Sequence, residues 1–172
     1  MTEEDGVVTL QTTRVAVDVN GQRWEGEVPV EEVLLDLLRY RVGLTGTKRG
    51  CESEVCGACT VLVDGAPISS CTFLAFEAGG KAVTTVEGVA ANGKLHPIQE
   101  AFIRNVAAQC GYCTPGQIMA AVALLDSNPS PTYDEIAHWL TGNICRCGAY
   151  PSIATAIQEA AAEMATQGRY HG

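Results

Sequence analysis

The chain begins with a two-residue alternation of apolar and polar positions. Val15, Val17 and Val19 share one face of this pattern, and the alternation resumes after Asn20-Gly21. An Asn-Gly pair favours the two positive φ values of a type I′ turn. The sequence therefore predicts a β-hairpin centred on Asn20-Gly21.

A helical period replaces the alternation after Pro29. The apolar residues that recur there at steps of three and four are Val30, Val33, Leu34, Leu37 and Leu38. This spacing predicts one face of a helix. Glu31 and Glu32 would occupy its first turn, where the helix dipole favours acidic side chains, and Gly43 and Gly46 would end it.

Short strands are expected around an irregular loop in the rest of the first half. Residues 45–59 are rich in glycine and show neither period, so they predict a loop. A strand is predicted over Thr60–Val63, a second hairpin turn at Asp64-Gly65, and a last strand over residues 82–86.

From about residue 94 the apolar positions follow a helical period only. Four helices are expected, beginning at Pro97, at Gly116 behind a Thr114-Pro115 cap, at a Thr132/Glu135 capping box that leads to Gly142, and at about Ser152. The sequence therefore predicts an α+β chain, with a small β domain over residues 1–89 and a four-helix domain over residues 94–172.

Composition excludes several classes of function. The 172 residues carry a net charge of −9 without a cluster of basic residues, which argues against binding to nucleic acid or anionic membranes. The longest apolar run has eight residues, too short to cross a bilayer. An acidic N-terminus is unlike a secretory leader, so a soluble, cytoplasmic protein is expected.

Eight cysteines fall into two sets of four. The first set is Cys51, Cys56, Cys59 and Cys71, in which a C-x4-C-x2-C run in the glycine-rich loop is followed by a fourth cysteine after eleven residues. This is the spacing of plant-type [2Fe-2S] ferredoxins. Three thiolates can converge on a small cluster from an irregular loop, and Gly50 and Gly57 would let backbone N–H groups approach the sulfur.

The second set is Cys110, Cys113, Cys145 and Cys147. Each pair precedes a predicted helix, and two facing helix N-termini would partly offset the charge of four thiolates. A four-ligand site is therefore plausible from the pattern alone.

Other uses of the cysteines fit less well. Disulfides are uncommon in a reducing compartment, the C-x-x-C pairs lack the βαβ context of thioredoxin, and neither is followed by the histidine of c-type haem attachment. A Rieske centre needs two histidines, whereas His96, His138 and His171 are expected on the surface or on a helix face. Zinc at the second set stays open, although a 31-residue gap and a C-x-C fit common zinc spacings poorly.

Three segments resemble, in order and spacing, the iron–sulfur subunit of the xanthine oxidase family of molybdenum hydroxylases. They are Arg49-Gly-Cys-Glu-Ser-Glu-Val-Cys-Gly-Ala-Cys-Thr-Val61, Gln109-Cys-Gly-Tyr-Cys-Thr-Pro-Gly116 and Gly142-Asn-Ile-Cys-Arg-Cys147. The resemblance implies a β-grasp, ferredoxin-like domain followed by a four-helix bundle. The variant Gly148-Ala-Tyr-Pro151 is most similar to bacterial members that oxidise aldehydes or hydroxylate N-heterocycles.

The resemblance also implies a role for each cysteine set. The first set would bind an outer [2Fe-2S] cluster that faces an electron acceptor, and the second an inner [2Fe-2S] cluster near a large subunit. The molybdopterin of that subunit would contact the Gln109 side chain and the Cys147 sulfur. No residue of this chain would be catalytic.

The implied function is electron transfer. Single electrons would pass from molybdopterin through both clusters to FAD on a medium subunit or to an external acceptor, in a complex expected to be a dimer of heterotrimers. Two alternatives are the small subunit of a carbon monoxide dehydrogenase of the same family and a free-standing two-cluster ferredoxin. Aldehyde, N-heterocycle, purine, aryl-CoA and carbon monoxide all remain open as substrates, because the substrate pocket would lie on the large subunit.

Overall fold

A computed structural model describes residues 11–167 of the chain, and its first half is a five-stranded mixed sheet. The strands are β1 (Thr12–Val19), β2 (Gln22–Pro29), β3 (Thr60–Val63), β4 (Ala66–Ser69) and β5 (Ala82–Thr84), in the spatial order β2-β1-β5-β3-β4. Only the β1–β5 pair is parallel among these strands. This order confirms the ferredoxin-like sheet that the resemblance implies.

Both predicted hairpin turns are confirmed. Asn20 and Gly21 have φ values of 54° and 76°, and Asp64 and Gly65 have values of 50° and 81°. The turn chemistry sets the register of each hairpin, so that β1 and β2 pair along their full length. The second hairpin returns the chain from β3 toward Cys71.

The helix predicted from Pro29 is wrong at its start. Helix α1 covers only Leu34–Asp36 and continues as a π-helical turn over Leu37–Val42, which ends at Gly43 with φ 84°. Val33 is extended because it forms an isolated antiparallel bridge with Leu74, a long-range contact that holds the preceding residues out of the helix.

Glu31 and Glu32 therefore do not lie in a first helical turn. Instead, Glu32 accepts two hydrogen bonds of 2.6 Å from the Arg41 guanidinium. Four leucines of this segment are fully buried, and of these Leu34, Leu37 and Leu38 belong to the cluster that packs against the sheet, whereas Leu35 does not. The apolar residues that recur at steps of three and four are therefore mostly buried, although only part of the segment is helical.

Four helices form the second half, as predicted. They are α2 (Pro97–Arg104), α3 (Thr114–Ser127), α4 (Tyr133–Trp139) with a 3₁₀ turn over Leu140–Gly142, and α5 (Tyr150–Gln167). The capping box of α4 is confirmed, since the Glu135 N–H donates to Thr132 Oγ1 at 3.3 Å and Glu135 Oε2 accepts from the Thr132 N–H at 2.7 Å. Helix α5 begins two residues earlier than expected.

Two expectations for polar side chains are corrected. Cys113 is the N-cap of α3, so Thr114 is the first helical residue and not the cap. His96 is buried and caps α2 through Nδ1, which accepts from the Ile98 N–H at 3.2 Å. His138 is exposed as expected, and His171 lies outside the described residues.

The two halves share buried surface. One apolar cluster lies between the sheet and the α1 segment, and a second fills the four-helix half. Leu62 of β3 belongs to the helical cluster, because β3 packs against α3. Within the described residues, no helix is long and apolar enough to cross a membrane.

Candidate functional site

The first three cysteines lie in an irregular loop between the π-helical turn and β3. Cys51 is exposed, Cys56 is half-buried and Cys59 is buried at the start of the strand. The β3–β4 hairpin returns Cys71 to the same region, where Cys59 and Cys71 pack with Leu35. The structure therefore brings the second hairpin's cysteine to the loop, as the spacing predicted.

Backbone N–H groups of this loop point at sulfur. The N–H groups of Ser53, Val55 and Cys56 donate to Cys51 Sγ at 3.5, 3.4 and 3.4 Å. Glu52 and Glu54 adopt positive φ values of 57° and 62°, which turn these N–H groups inward. Hydrogen bonds from the Ser53 side chain and from these N–H groups lower the pKa of Cys51 to about 6, which favours the thiolate that a metal requires.

Cys59, which is buried beside Cys71, has a raised pKa, in contrast to the lowered pKa of Cys51. Burial raises the pKa of Cys59 to about 11, and Cys59 also interacts with the Cys71 thiol. A thiol in this environment ionises when a cation replaces its proton. Gly50 adds room for a sulfur-rich group, because a Cβ at that position would lie 2.6 Å from Cys56 Sγ. The donor set and the loop therefore fit an iron–sulfur cluster.

The second set meets at the starts of α3 and α5. Cys113 caps α3, and Cys147 lies three residues before α5. The thiols act on one another across the set, since the Cys147 thiol helps lower the pKa of Cys110 and the Cys145 thiol helps raise the pKa of Cys113. The structure therefore places predicted ligands from two separate segments of the chain near one another.

The electrostatics of the second set resemble those of the first. Burial, followed by the interaction with the Cys145 thiol, raises the pKa of Cys113 to about 12. Burial would also raise the pKa of Cys145, but hydrogen bonds led by the Ala149 N–H, at 3.5 Å from Cys145 Sγ, leave it below its ordinary value. Thr114 Oγ1, at the start of α3, is buried without a hydrogen-bond partner in residues 11–167.

Neither cysteine set is arranged around a single metal ion. Within residues 11–167, no three histidine, cysteine, aspartate or glutamate side chains are arranged to hold one metal ion.

Gln109 and Cys147, which the sequence resemblance alone links to molybdopterin, are neighbours. The Gln109 side-chain amide donates to the Cys147 carbonyl at 3.2 Å. Gln109 and Cys110 are both exposed in this chain. The second set therefore opens on the molecular surface at Gln109, where another subunit could reach it.

A cavity of about 240 Å³ separates the two sets. It is lined by Gly50, Cys51, Cys56, Ala58, Cys110, Tyr112, Cys113, Ile144 and Arg146. The Ile144 N–H donates to the Cys56 carbonyl at 2.9 Å, and the Tyr112 hydroxyl donates to the Arg49 carbonyl. Residues of both cysteine motifs therefore form one continuous site.

Buried polar side chains fix this junction, and the sequence analysis missed them. The Asn143 amide donates to the Gly57 carbonyl at 3.2 Å and to Thr60 Oγ1 at 3.3 Å, and the Gln117 amide donates to the Asn143 carbonyl at 2.8 Å. Gln117 is fully buried. Its only signal in the sequence is its position directly before the longest apolar run.

Two glycines permit the close approach. Gly57 has φ 66°, and a Cβ there would lie 2.3 Å from the Gly142 carbonyl oxygen. A Cβ on Gly116, in the first turn of α3, would lie 2.1 Å from the Gly57 carbonyl oxygen. Both distances are far below van der Waals contact, so the loop and α3 meet backbone to backbone.

Two protein-family models match consecutive parts of the chain. The one described as "2Fe-2S iron-sulfur cluster binding domain" matches residues 17–84, and the one described as "[2Fe-2S] binding domain" matches residues 85–158. Each match encloses one cysteine set. The chain therefore carries two [2Fe-2S]-binding domains.

Relatives with names and solved structures extend this finding. The chain is 49% identical over 146 residues to the nicotine 6-hydroxylase small subunit of Paenarthrobacter nicotinovorans, covering 85% of this chain and 88% of the relative. It matches the structure of quinoline 2-oxidoreductase from Pseudomonas putida 86 with a TM-score of 0.88 and 45% identity, over 93% of this chain and 99% of that chain. It also matches the aldehyde oxidoreductase of Desulfovibrio desulfuricans with a TM-score of 0.85 and 40% identity, over 90% of this chain but 17% of that one.

Proposed function

The chain belongs to the iron–sulfur subunits of the xanthine oxidase family of molybdenum hydroxylases, and we propose how its two cysteine sets serve electron transfer. It is the small, electron-transfer subunit of a molybdenum oxidoreductase, and we propose that the substrate site lies on the large subunit. We assign an outer cluster to the first set, Cys51, Cys56, Cys59 and Cys71. We assign an inner cluster to the second set, Cys110, Cys113, Cys145 and Cys147. When bound, each [2Fe-2S] cluster accepts and releases one electron.

The hydrogen bond between the two cysteine motifs carries this proposal. From Cys145 the backbone runs to the Ile144 N–H, which donates to the Cys56 carbonyl at 2.9 Å. One ligand of each proposed cluster is therefore joined by covalent bonds and one hydrogen bond. Asn143 and Gln117 hold the same contact from the buried side, which keeps its geometry fixed.

The two ends of the site support a direction for the electrons. We propose that molybdopterin of the large subunit lies against Gln109 and Cys147, which are neighbours at the surface. The exposed Cys51 loop would then face the acceptor, which we propose is FAD on a medium subunit. The proposed assembly is a dimer of such heterotrimers, an arrangement common in the family.

We also propose that the chain divides into domains over residues 1–89 and 94–172. The last strand of the sheet ends at Thr84 and the first helix of the second half begins at Pro97. The residues between them form neither a helix nor a strand of the sheet. The family matches meet at residues 84 and 85, which supports a boundary in this region.

Metal analysis of the purified complex tests the assignment. We expect about four irons per copy of this chain, two per cluster, and no stoichiometric zinc. Cys71→Ser should remove the paramagnetic signal of the outer cluster and leave the inner one, and Cys113→Ser should do the reverse. Loss of both signals in both variants, with the complex still assembled, would contradict independent clusters. Recovery of the native chain without a large subunit would favour a free ferredoxin.

A further inference from the structure

Arg146 lies in the cavity that the two cysteine sets share. It separates Cys145 from Cys147 in sequence and lines the shared cavity together with Cys51 and Cys56 of the other set. It is the one charged side chain among the cavity-lining residues that the structure describes, apart from the cysteines themselves.

Arg146 is also not neutralised by a carboxylate. Within residues 11–167 it makes no ion pair. The contrast is Arg49, the other arginine near the site, whose guanidinium pairs with both Asp36 and Glu52. Arg146 is exposed, and no carboxylate of the described residues offsets its positive charge beside the two cysteine sets.

We propose that Arg146 is a positioning residue for charge, whose guanidinium raises the reduction potentials of both clusters and of the inner cluster most. This inference rests on the cluster assignment proposed above. An oxidised [2Fe-2S] cluster with four thiolates has a formal charge of about −2 and becomes more negative by one electron on reduction. A nearby cation stabilises the reduced form more than the oxidised form, so it favours reduction.

The cavity strengthens the effect. Gly50, Ala58 and Ile144 supply small or apolar walls, so no second charged side chain of the described lining competes with the guanidinium. Because Arg146 lies on the chain between two inner ligands, the inner cluster should respond more than the outer one. The step is the addition of one electron, with no bond broken and no proton required.

The test is a redox titration of the assembled complex with dithionite, followed by electron paramagnetic resonance so that the two clusters are resolved. Arg146→Gln should lower the ratio of reduced to oxidised inner cluster at a fixed potential by about three- to tenfold, where tenfold corresponds to 59 mV for one electron. The outer cluster should shift in the same direction by less. Arg146→Lys keeps the charge and should stay near wild type.

Two further variants make the result decisive. Arg23→Gln removes a charge from the far edge strand β2 and should shift neither cluster. Ile144→Arg adds a charge to the same cavity and should raise the inner potential, which tests the inference even if Arg146→Gln fails to load clusters. The inference is overturned if Arg146→Gln matches Arg23→Gln, if Arg146→Lys shifts as far as Arg146→Gln, or if Ile144→Arg causes no rise. A wild-type complex with one signal or too few irons would instead contradict the cluster assignment itself.

Discussion

Replacing Gly116 by alanine should separate the two cysteine motifs. The added Cβ would lie 2.1 Å from the Gly57 carbonyl oxygen and 3.2 Å from Ala58 Cα. Both atoms are backbone, so no side-chain rotation relieves the clash and α3 must move away from the cysteine loop. Overpacking of this kind costs about 1–3 kcal/mol, and the short contact places Gly116→Ala at the upper end.

The helix preference for alanine works against this cost but does not cancel it. Alanine gains about 1 kcal/mol over glycine in a helix interior. The net loss of unfolding free energy is then about 2 kcal/mol, or roughly 4–8 °C in Tm for a chain of this size. Thermal melting of the cluster-loaded protein, followed by circular dichroism and by visible absorption, measures this change.

A matched control is available in the same region. A Cβ on Gly142 would meet nothing within 4 Å, so Gly142→Ala should melt close to wild type. If Gly116→Ala and Gly142→Ala have the same Tm, the close approach of α3 to the loop does not constrain the site and the reasoning is refuted.

Three further predictions follow from single contacts. Asn143→Ala removes two buried hydrogen bonds to the cysteine loop and should lower the unfolding free energy by about 1–3 kcal/mol, measured by denaturant titration, whereas an unchanged midpoint would contradict the buried junction. Tyr150→Phe removes the acceptor of the Cys145 N–H, at 2.8 Å, so a chelator should remove the inner cluster faster while the outer cluster is lost at its wild-type rate. The pKa of Glu135 is lowered by hydrogen bonds from Thr132, so its contribution to stability is present above its unfolded pKa and is lost as pH falls through the folded value. Thr132→Ala keeps the backbone N–H bond and removes the hydroxyl bond to Glu135, so it should partly flatten the acid limb of a Tm-against-pH curve, and an identical slope would exclude the contribution of the hydroxyl.

Elements set by neighbouring residues were predictable from the sequence. Asn20-Gly21 and Asp64-Gly65 fix their turns through local φ preferences, and Thr132 with Glu135 fixes the start of α4. In each case the residues that determine the conformation lie within a few positions of one another. The cysteine spacing was equally informative, because the number of residues between ligands limits which loop can hold a cluster.

Elements set by distant contacts were not predictable. The bridge between Val33 and Leu74 shortens α1, and nothing in the local apolar period signals a partner far along the chain. The same holds for Asn143, whose partners in the first cysteine loop are more than 80 residues away. His96 looked like a surface residue because its role as a buried cap depends on the packing of α2.

The central claim is that one chain holds two one-electron centres side by side. Its most direct test is electron paramagnetic resonance of the purified complex, reduced stepwise with dithionite. Because both cysteine sets line one cavity, we expect two distinct signals of one spin each that broaden one another when both centres are reduced. A single signal at full reduction, or two signals that never influence each other, would contradict the account.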